Sequence, residues 1–345
     1  MLTLTDIRHQ LEDRQGRLIF RKIASSGIHL SPEGRLIAGD QTYLLEPAAK
    51  KDLARRARIP SDFFEALPPD LQAALFNRLY PTTLVHPTTP AKLNVAIMDG
   101  RLAVSISDAA LAVVRGGDVL EAVLEATPPD RGERESFEVT HFRLNGGISL
   151  SLVSPTISAE PRVGDIVRGG VDVHHSDTGA FGTQVSSYLF RLVCTNGQLL
   201  RVCEHDEDLR VRRGGPETAD AVLRRVRHVT CLAWQDLQLK LAVLRDLTNE
   251  VVDDPAAVID RILRDAGFYP SQKLIRELLA ALNADELGNR GTLYDVMNAF
   301  SRVGTHAAGR PFPWCRRFLF ASGDILRERF ERCPQCRSIL RGQRA

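Results

Sequence analysis

Apolar residues recur along the first part of the chain in periods that change from helical to strand-like and back. The first eleven residues have a helical pattern, and the turn residues 31–34 between two apolar segments predict a β-hairpin. Residues 47–80 predict two or three short helices, because Pro60, Pro68 and Pro69 each end the helix before them. The N-terminal region is therefore expected to mix helices with hairpins.

A second hairpin is predicted over residues 92–107. Asp99-Gly100 is a preferred two-residue turn, and it lies between two strand-like runs of alternating residues. Residues 116–126 then form the pattern of a short amphipathic helix.

The middle of the chain is rich in strand patterns. Short connections containing glycine or asparagine separate successive apolar runs, and such connections require neighbouring strands to be antiparallel. We therefore expect a β-meander. Its strands are predicted at residues 136–145, 147–155, 165–177, 183–194 and 198–203.

One of these strands carries a charge between two apolar faces. The stretch YLFRLVCTNG, residues 188–197, is apolar at most positions on both faces, which is typical of a central strand covered on each side. Arg191 needs a partner there, because an unpaired buried charge costs several kcal/mol. Two interpretations stay open: an ion pair with Asp165 or Asp177, or a phosphate bound where the sheet meets a groove.

A long amphipathic helix is predicted from Thr218 onwards. Arg224, Arg225 and His228 lie off its apolar stripe, so the helix is expected to pack on the sheet through the stripe. The stripe consists of Val222, Val226, Val229, Ala233, Leu237, Leu241 and Leu244. Three shorter helices follow, and the chain is expected to end in a proline-bracketed basic tail.

These elements predict an α+β fold, with a central antiparallel meander sheet packed by helices and a small C-terminal helical domain. We expect an N-terminal helix and hairpin over residues 1–45, an α+β core over 46–245, a helical bundle over 246–309 and the basic tail over 310–345. The tail holds nine arginines and three acidic residues.

Composition narrows the class of protein. No apolar run approaches the ~18 residues that a membrane span needs, and six cysteines are too few for a disulfide scaffold, so we expect a cytoplasmic protein. The 45 basic residues include only six lysines, which favours either phosphate binding by arginine or a G- and C-rich genome. The net charge of +2 is too balanced to decide between the two.

The central strands carry a resemblance. Residues 163–200 are similar to the central motif of the phage/plasmid-like protein family, also called domain of unknown function 932, and weaker similarity extends over residues 46–307. The matching residues are Gly164, Asp165, Ser176, Asp177, Thr178, Gly179, Tyr188, Arg191, Cys194, Asn196 and Gly197. The resemblance implies a gene carried by phages, plasmids and their host relatives, and it implies no activity or catalytic residues.

Two groups of residues have the composition of metal sites. Cys333-Pro-Gln-Cys336 has the spacing of half a zinc ribbon, and the alternative interpretation is a pair of solvent-facing thiols. Zinc is therefore the one cofactor that the sequence suggests, and the cofactor is otherwise unknown. His174, His175 and Asp177, with the acidic residues 204–208, are the types that a metal-dependent nuclease uses. Only one of the two adjacent histidines can face such a site.

The arginines suggest another kind of site. Three Arg-Gly-Gly triplets, at Arg115, Arg168 and Arg213, are interpreted as turns rather than RNA contacts. We expect Arg224, Arg225 and Arg227 to grip phosphates in a groove between the long helix and the sheet, with Arg191 organising the groove from beneath.

The leading hypothesis is a nucleic-acid-binding protein of mobile-element DNA metabolism that holds or anneals single strands. Two alternatives stay open: a structural or host-interaction protein, which includes a homo-oligomeric scaffold, and a metal-dependent nuclease. The sequence shows neither a phosphate-binding loop of the G-x-x-x-x-G-K-S/T type nor a G-x-G-x-x-G fingerprint.

Overall fold

The α+β fold predicted from the sequence is confirmed. A computed structural model of the protein describes residues 2–84, 92–109, 112–127, 136–144, 147–177, 182–192, 196–200, 218–284, 290–306 and 309–332. Within these ranges the strands form two sheets, one of six strands and one of five. The helices are α1 (Leu4–Arg17), α2 (Pro47–Arg56), α3 (Ser61–Ala66), α4 (Pro69–Leu84), α5 (Gly116–Glu125), α6 (Ala219–Leu247), α7 (Pro255–Asp265), α8 (Gln272–Asn283), α9 (Leu293–His306) and α10 (Phe312–Arg332).

The six-stranded sheet is mixed and has the order β1-β5-β6-β4-β3-β2. Both predicted hairpins lie in it, so the sheet joins strands from either side of residue 45. Helices α2 to α4 contribute to its core. The strands are β1 (Leu18–Ala24), β2 (Ile28–Leu30), β3 (Leu36–Ala38), β4 (Gln41–Leu45), β5 (Lys92–Met98) and β6 (Leu102–Asp108).

The turn between β5 and β6 follows its sequence signal. Asp99 has φ 52° and Gly100 has φ 67°, and both values lie in the left-handed region that this type of two-residue turn requires. Aspartate and glycine tolerate this region better than other residues do, which is why the sequence located this hairpin correctly.

The predicted meander is confirmed as the five-stranded antiparallel sheet, in the order β11-β10-β9-β8-β7. Two glycines allow close packing in its middle: a Cβ on Gly170 would lie 1.9 Å from the carbonyl oxygen of Leu152, and one on Gly169 would lie 2.5 Å from Leu237 in α6. The Arg168-Gly169-Gly170 triplet is therefore part of a strand, and its interpretation as a turn is wrong. The strands are β7 (Glu138–Arg143), β8 (Ile148–Arg162), β9 (Asp165–His175), β10 (Gln184–Arg191) and β11 (Asn196–Leu200).

Helix α6 covers one face of the meander. It begins after the predicted Thr218, whose hydroxyl accepts a hydrogen bond from the Ala221 backbone, and its apolar stripe enters the core. The hydroxyl of Ser187 in β10 donates to the Ala233 carbonyl at 2.9 Å. The position of α6 on the sheet is thus as the amphipathic pattern predicted.

Helix α10 covers the other face of the meander, where Phe320 packs with Val153 and Tyr188. The prediction of a basic tail from residue 310 onwards is therefore wrong over residues 312–332, which form a helix. Phe318 and Leu326 of this helix are fully buried in the same core as the meander and helices α7 to α9. No helix of the described part is both long and apolar enough to cross a membrane.

Candidate ligand pocket

Arg191 lies inside the core and forms the ion pair that its strand position suggested. Its Nε donates to Oδ1 of Asp165 at 2.7 Å, and the Tyr294 hydroxyl donates to Oδ2 of the same carboxylate at 2.9 Å. The side chain of Arg191 is only 2% exposed. The structural interpretation is confirmed, and Arg191 does not reach the surface where a nucleic acid would lie.

The other motif residues do not converge on this pair. Asp177 lies two residues beyond the end of β9 that is opposite Asp165, and a strand of 11 residues spans about 35 Å. There it accepts a hydrogen bond from Nε of Arg14 at 3.1 Å, and the His175 ring lies 3.8 Å away. Thr178, Gly179 and Cys194 lie outside the described residues.

The remaining described motif residues serve the fold. Gly164 forms the β8–β9 turn with φ 81°, and Asn196 and Gly197 begin the edge strand β11. Ser176 is buried at the end of β9.

The three arginines predicted to bind phosphates lie in the first half of α6. Arg224 is exposed and Arg225 is partly buried, and Nε of Arg227 pairs with Glu125 at 2.8 Å. Near Gly169 no space is left between α6 and the sheet, since Leu237 packs directly on this glycine, and none of the three arginines lines the groove that opens further along the helix. The structure therefore does not place these three arginines in a groove between the helix and the sheet.

Two cavities adjoin the meander. One is an open groove of about 540 Å³ between β8 and the second half of α6, and its charged lining is limited to Glu160 and Arg245. The other, of about 390 Å³, lies between the meander and helices α9 and α10. We call the second one the α10 pocket; it is lined by Thr140, His141, Arg143, Ser149, Ser151, Asp172, Tyr188, Phe190, Gly304, Thr305, His306, Gly309, Arg310, Phe312, Cys315, Arg316 and Leu319.

The sheet side of the α10 pocket is polar. Residues that pair across antiparallel strands share a face, and here two adjacent rows of paired residues carry polar side chains. One row is His141, Ser151, Asp172 and Ser186, and the other is Arg143, Ser149, His174 and Gln184. This departs from the apolar inner face that a helix-covered strand usually has.

A buried ion pair lies at the centre of these rows. Asp172 accepts hydrogen bonds from the Arg316 guanidinium and from the Ser151 hydroxyl, the latter at 2.9 Å. The side chains of Arg316 and Asp172 are 9% and 3% exposed. Arg316 thus fastens α10 to the polar face of the sheet.

Two histidines of this face are held in the neutral form at pH 7. Burial, with a smaller contribution from Arg316, lowers the pKa of His174 to about 4. Burial also lowers the pKa of His141. The His141 Nε2 and Ser149 Oγ atoms are both buried, and neither has a hydrogen-bond partner in the described part of the chain.

Aromatic rings and guanidinium groups form the outer part of the pocket. The Phe312 ring lies parallel to the His141 ring with 5.7 Å between centroids, and the Arg143 guanidinium lies 5.3 Å from the Phe312 centroid. Arg310 pairs with Glu277 and stacks on Trp314. Arg143 is exposed and forms no ion pair with any residue that the structure describes.

Metal sites predicted from the sequence are not assembled in the described residues, where no group of three His, Cys, Asp or Glu side chains is placed to hold a metal ion. Cys333, Cys336 and the acidic residues 204–208 lie outside the described ranges. The zinc and nuclease hypotheses therefore stay predictions.

Sequence reasoning missed the α10 pocket. Polar residues at alternate positions of two strands, Ser149 with Ser151 and Asp172 with His174, indicated a polar face of the sheet, but the pocket also needs α10, which was predicted as a tail.

Comparison with protein-family models, with curated proteins and with solved structures finds no match for the chain. The resemblance to the phage/plasmid-like family accordingly stays a prediction.

Proposed function

We propose that the protein binds single-stranded nucleic acid and holds one nucleotide of the strand in the α10 pocket. The observation that carries the proposal is the group of Arg143, Phe312 and His141 at the outer part of the pocket, where a cation that has no ion partner among the described residues lies against stacked rings. Single-strand binding proteins combine these two features, because arginine contacts phosphates and aromatic rings stack on bases.

The charge of the pocket supports an anionic ligand. Three arginines and one aspartate line it, and the aspartate is already neutralised by Arg316. A phosphate at Arg143 would gain a charge-assisted hydrogen bond without breaking an ion pair.

The size of the pocket supports a single nucleotide. Its volume of about 390 Å³ lies in the range of small-molecule and cofactor sites, which are commonly ~300–1,000 Å³. The site has the dimensions of a pocket and not of a long channel, so the rest of the strand would lie on the outer surface.

Fluorescence anisotropy with labelled oligonucleotides of about 12 nucleotides tests the proposal. We expect single strands to bind more tightly than a duplex, and Arg143→Ala to reduce the slope of log K against log salt by about 0.7, the value for one phosphate of a single strand. Arg78→Ala is the matched control, because Arg78 is exposed on α4 and lies far from the pocket in the fold.

Two results would overturn this assignment. One is no binding of any single strand at low salt. The other is a loss of affinity in Arg224→Ala with none in Arg143→Ala, which would place the nucleic acid on α6 instead of the pocket.

A further inference from the structure

The floor of the α10 pocket holds two polar atoms that receive no hydrogen bond from the described part of the chain. Ser149 is 3% exposed, and its Oγ has no partner among the described residues. His141 Nε2 is in the same situation. Buried polar atoms in native proteins are almost always paired, so two orphans on the wall of one cavity point to a ligand that completes them.

The two groups lie on the same face of the sheet. Ser149 pairs across the strands with Arg143 on one side and His174 on the other, and His141 pairs with Ser151. Ser149 and His141 are therefore diagonal neighbours on adjacent strands, within reach of one small planar ligand.

The hydrogen-bonding capacity of the pair matches the edge of a nucleobase. A serine hydroxyl both donates and accepts, and a neutral imidazole has one donor and one acceptor nitrogen. Burial lowers the pKa of His141 and so keeps this ring neutral at pH 7. Nucleobase edges carry adjacent donors and acceptors, whereas a phosphate or sugar ring presents no such planar set.

We infer that Ser149 and His141 recognise the edge of one unstacked base, so that single-strand binding by this protein is base-selective. The inference rests on the proposed function and adds the specificity of the same site. Arg143 contacts the phosphate and contributes affinity, while Ser149 and His141 contact the base and give selectivity. Nucleic-acid interfaces commonly divide these roles between phosphate contacts and base contacts.

Oligonucleotides that share a phosphate backbone separate these roles. The probes are oligo(dT), oligo(dA), oligo(dC) and an abasic strand of equal length, each measured over a salt series with the full chain. Among oligo(dT), oligo(dA) and oligo(dC), we expect the tightest-binding strand to have an affinity about tenfold higher than the weakest-binding one. All three should bind more tightly than the abasic strand.

Ser149→Ala is the decisive variant. It removes a hydroxyl that has no partner among the described residues, so we expect stability to be unchanged. We expect this variant to lower the ratio of affinities between the preferred and the weakest base by about threefold to tenfold. The slope of log K against log salt should not change. Ser158→Ala is the matched control, because Ser158 lies on the same strand, is exposed and is not part of the pocket.

The outcomes distinguish the inference from the function on which it rests. Absence of binding to every strand overturns the proposed function. Binding with equal affinity for the three bases, or a preference that Ser149→Ala leaves unchanged, overturns the inference alone, and the orphan atoms then bind water. His141→Gln provides a second measurement, and we expect it to lower the ratio of affinities among the bases in the same way.

Discussion

Arg162, at the end of β8, donates from its guanidinium to the carboxylate of Asp295 in the first turn of α9, and the two side chains are only 5% and 0% exposed. Arg162 Nη2 also donates to the Thr292 hydroxyl at 2.8 Å. Burial raises the pKa of Asp295, but the hydrogen bonds from Arg162 and Thr292 outweigh it and lower the pKa overall. This pair connects the meander to the C-terminal helices.

Breaking that ion pair should destabilise the protein strongly. Arg162→Ala leaves the Asp295 carboxylate buried without its partner, which typically costs about 3–5 kcal/mol. Urea unfolding measures the loss. Arg264→Ala is the control, because the Arg264–Asp260 pair on α7 is exposed and should contribute less than about 1 kcal/mol. Equal losses in the two variants would contradict a structural role for Arg162.

A side chain at Gly170 should prevent the strands from packing. Gly170→Ala places a Cβ 1.9 Å from the Leu152 carbonyl oxygen, so β8 and β9 must separate, and we expect a loss of more than about 3 kcal/mol. Gly117→Ala, where no atom lies within 4 Å of the added Cβ, should be neutral or slightly stabilising in α5. Thermal unfolding of both variants checks the difference, and a Gly170→Ala protein as stable as the wild type would refute the register of this strand pair.

His174 should make stability depend on pH. Its folded pKa of about 4 lies below the usual 6.5, so the unfolded chain binds the extra proton between these values. Stability from this group is complete above pH 6.5 and is lost as the pH falls towards 4, with a slope of at most about 1.4 kcal/mol per pH unit.

Urea unfolding between pH 4 and 7 measures this slope in the wild type and in His174→Gln, where we expect it to be smaller. His29→Gln, at an exposed position of β2, should leave it unchanged. If the slope in His174→Gln equals that of the wild type, His174 is protonated in the folded protein.

Helix α10 should be essential for folding. Phe318 is fully buried and its ring lies 4.6 Å from Phe268 and 5.5 Å from Phe300, so Phe318→Ala should cost about 3–5 kcal/mol. Phe63→Ala is the matched control, since Phe63 is 55% exposed on α3 and should change stability by less than about 1 kcal/mol. Circular dichroism during thermal unfolding compares them, and similar midpoints would support the tail that the sequence predicted.

Local patterns were sufficient for most of the elements. The meander, the Asp99-Gly100 turn and the start of α6 after Thr218 each follow from a periodicity or a cap that acts over a few residues. The ion pair between Arg191 and Asp165 was one of the interpretations that the sequence left open, because a charge in a two-sided apolar strand requires a partner nearby.

Helix α10 and the polar pocket were not predictable in the same way. The C-terminal segment is rich in arginine and bracketed by prolines, so its local pattern indicated a basic tail, whereas Arg316 is neutralised by Asp172, 144 residues away in the chain. A long-range partner of this kind leaves no local periodicity. The serines and histidines of the sheet floor became a common surface only when β7, β8 and β9 paired.

The sequence by itself determined the kind and order of the meander strands, of the two predicted hairpins and of helix α6, because backbone propensity, turn chemistry and apolar period are local properties. Tertiary structure alone decided that Arg316 and Asp172 are buried together, which helix covers the polar face of the meander and where the cavity lies. Those features depend on contacts between distant residues, and the free energy of a buried charge is set by the partner that folding brings to it.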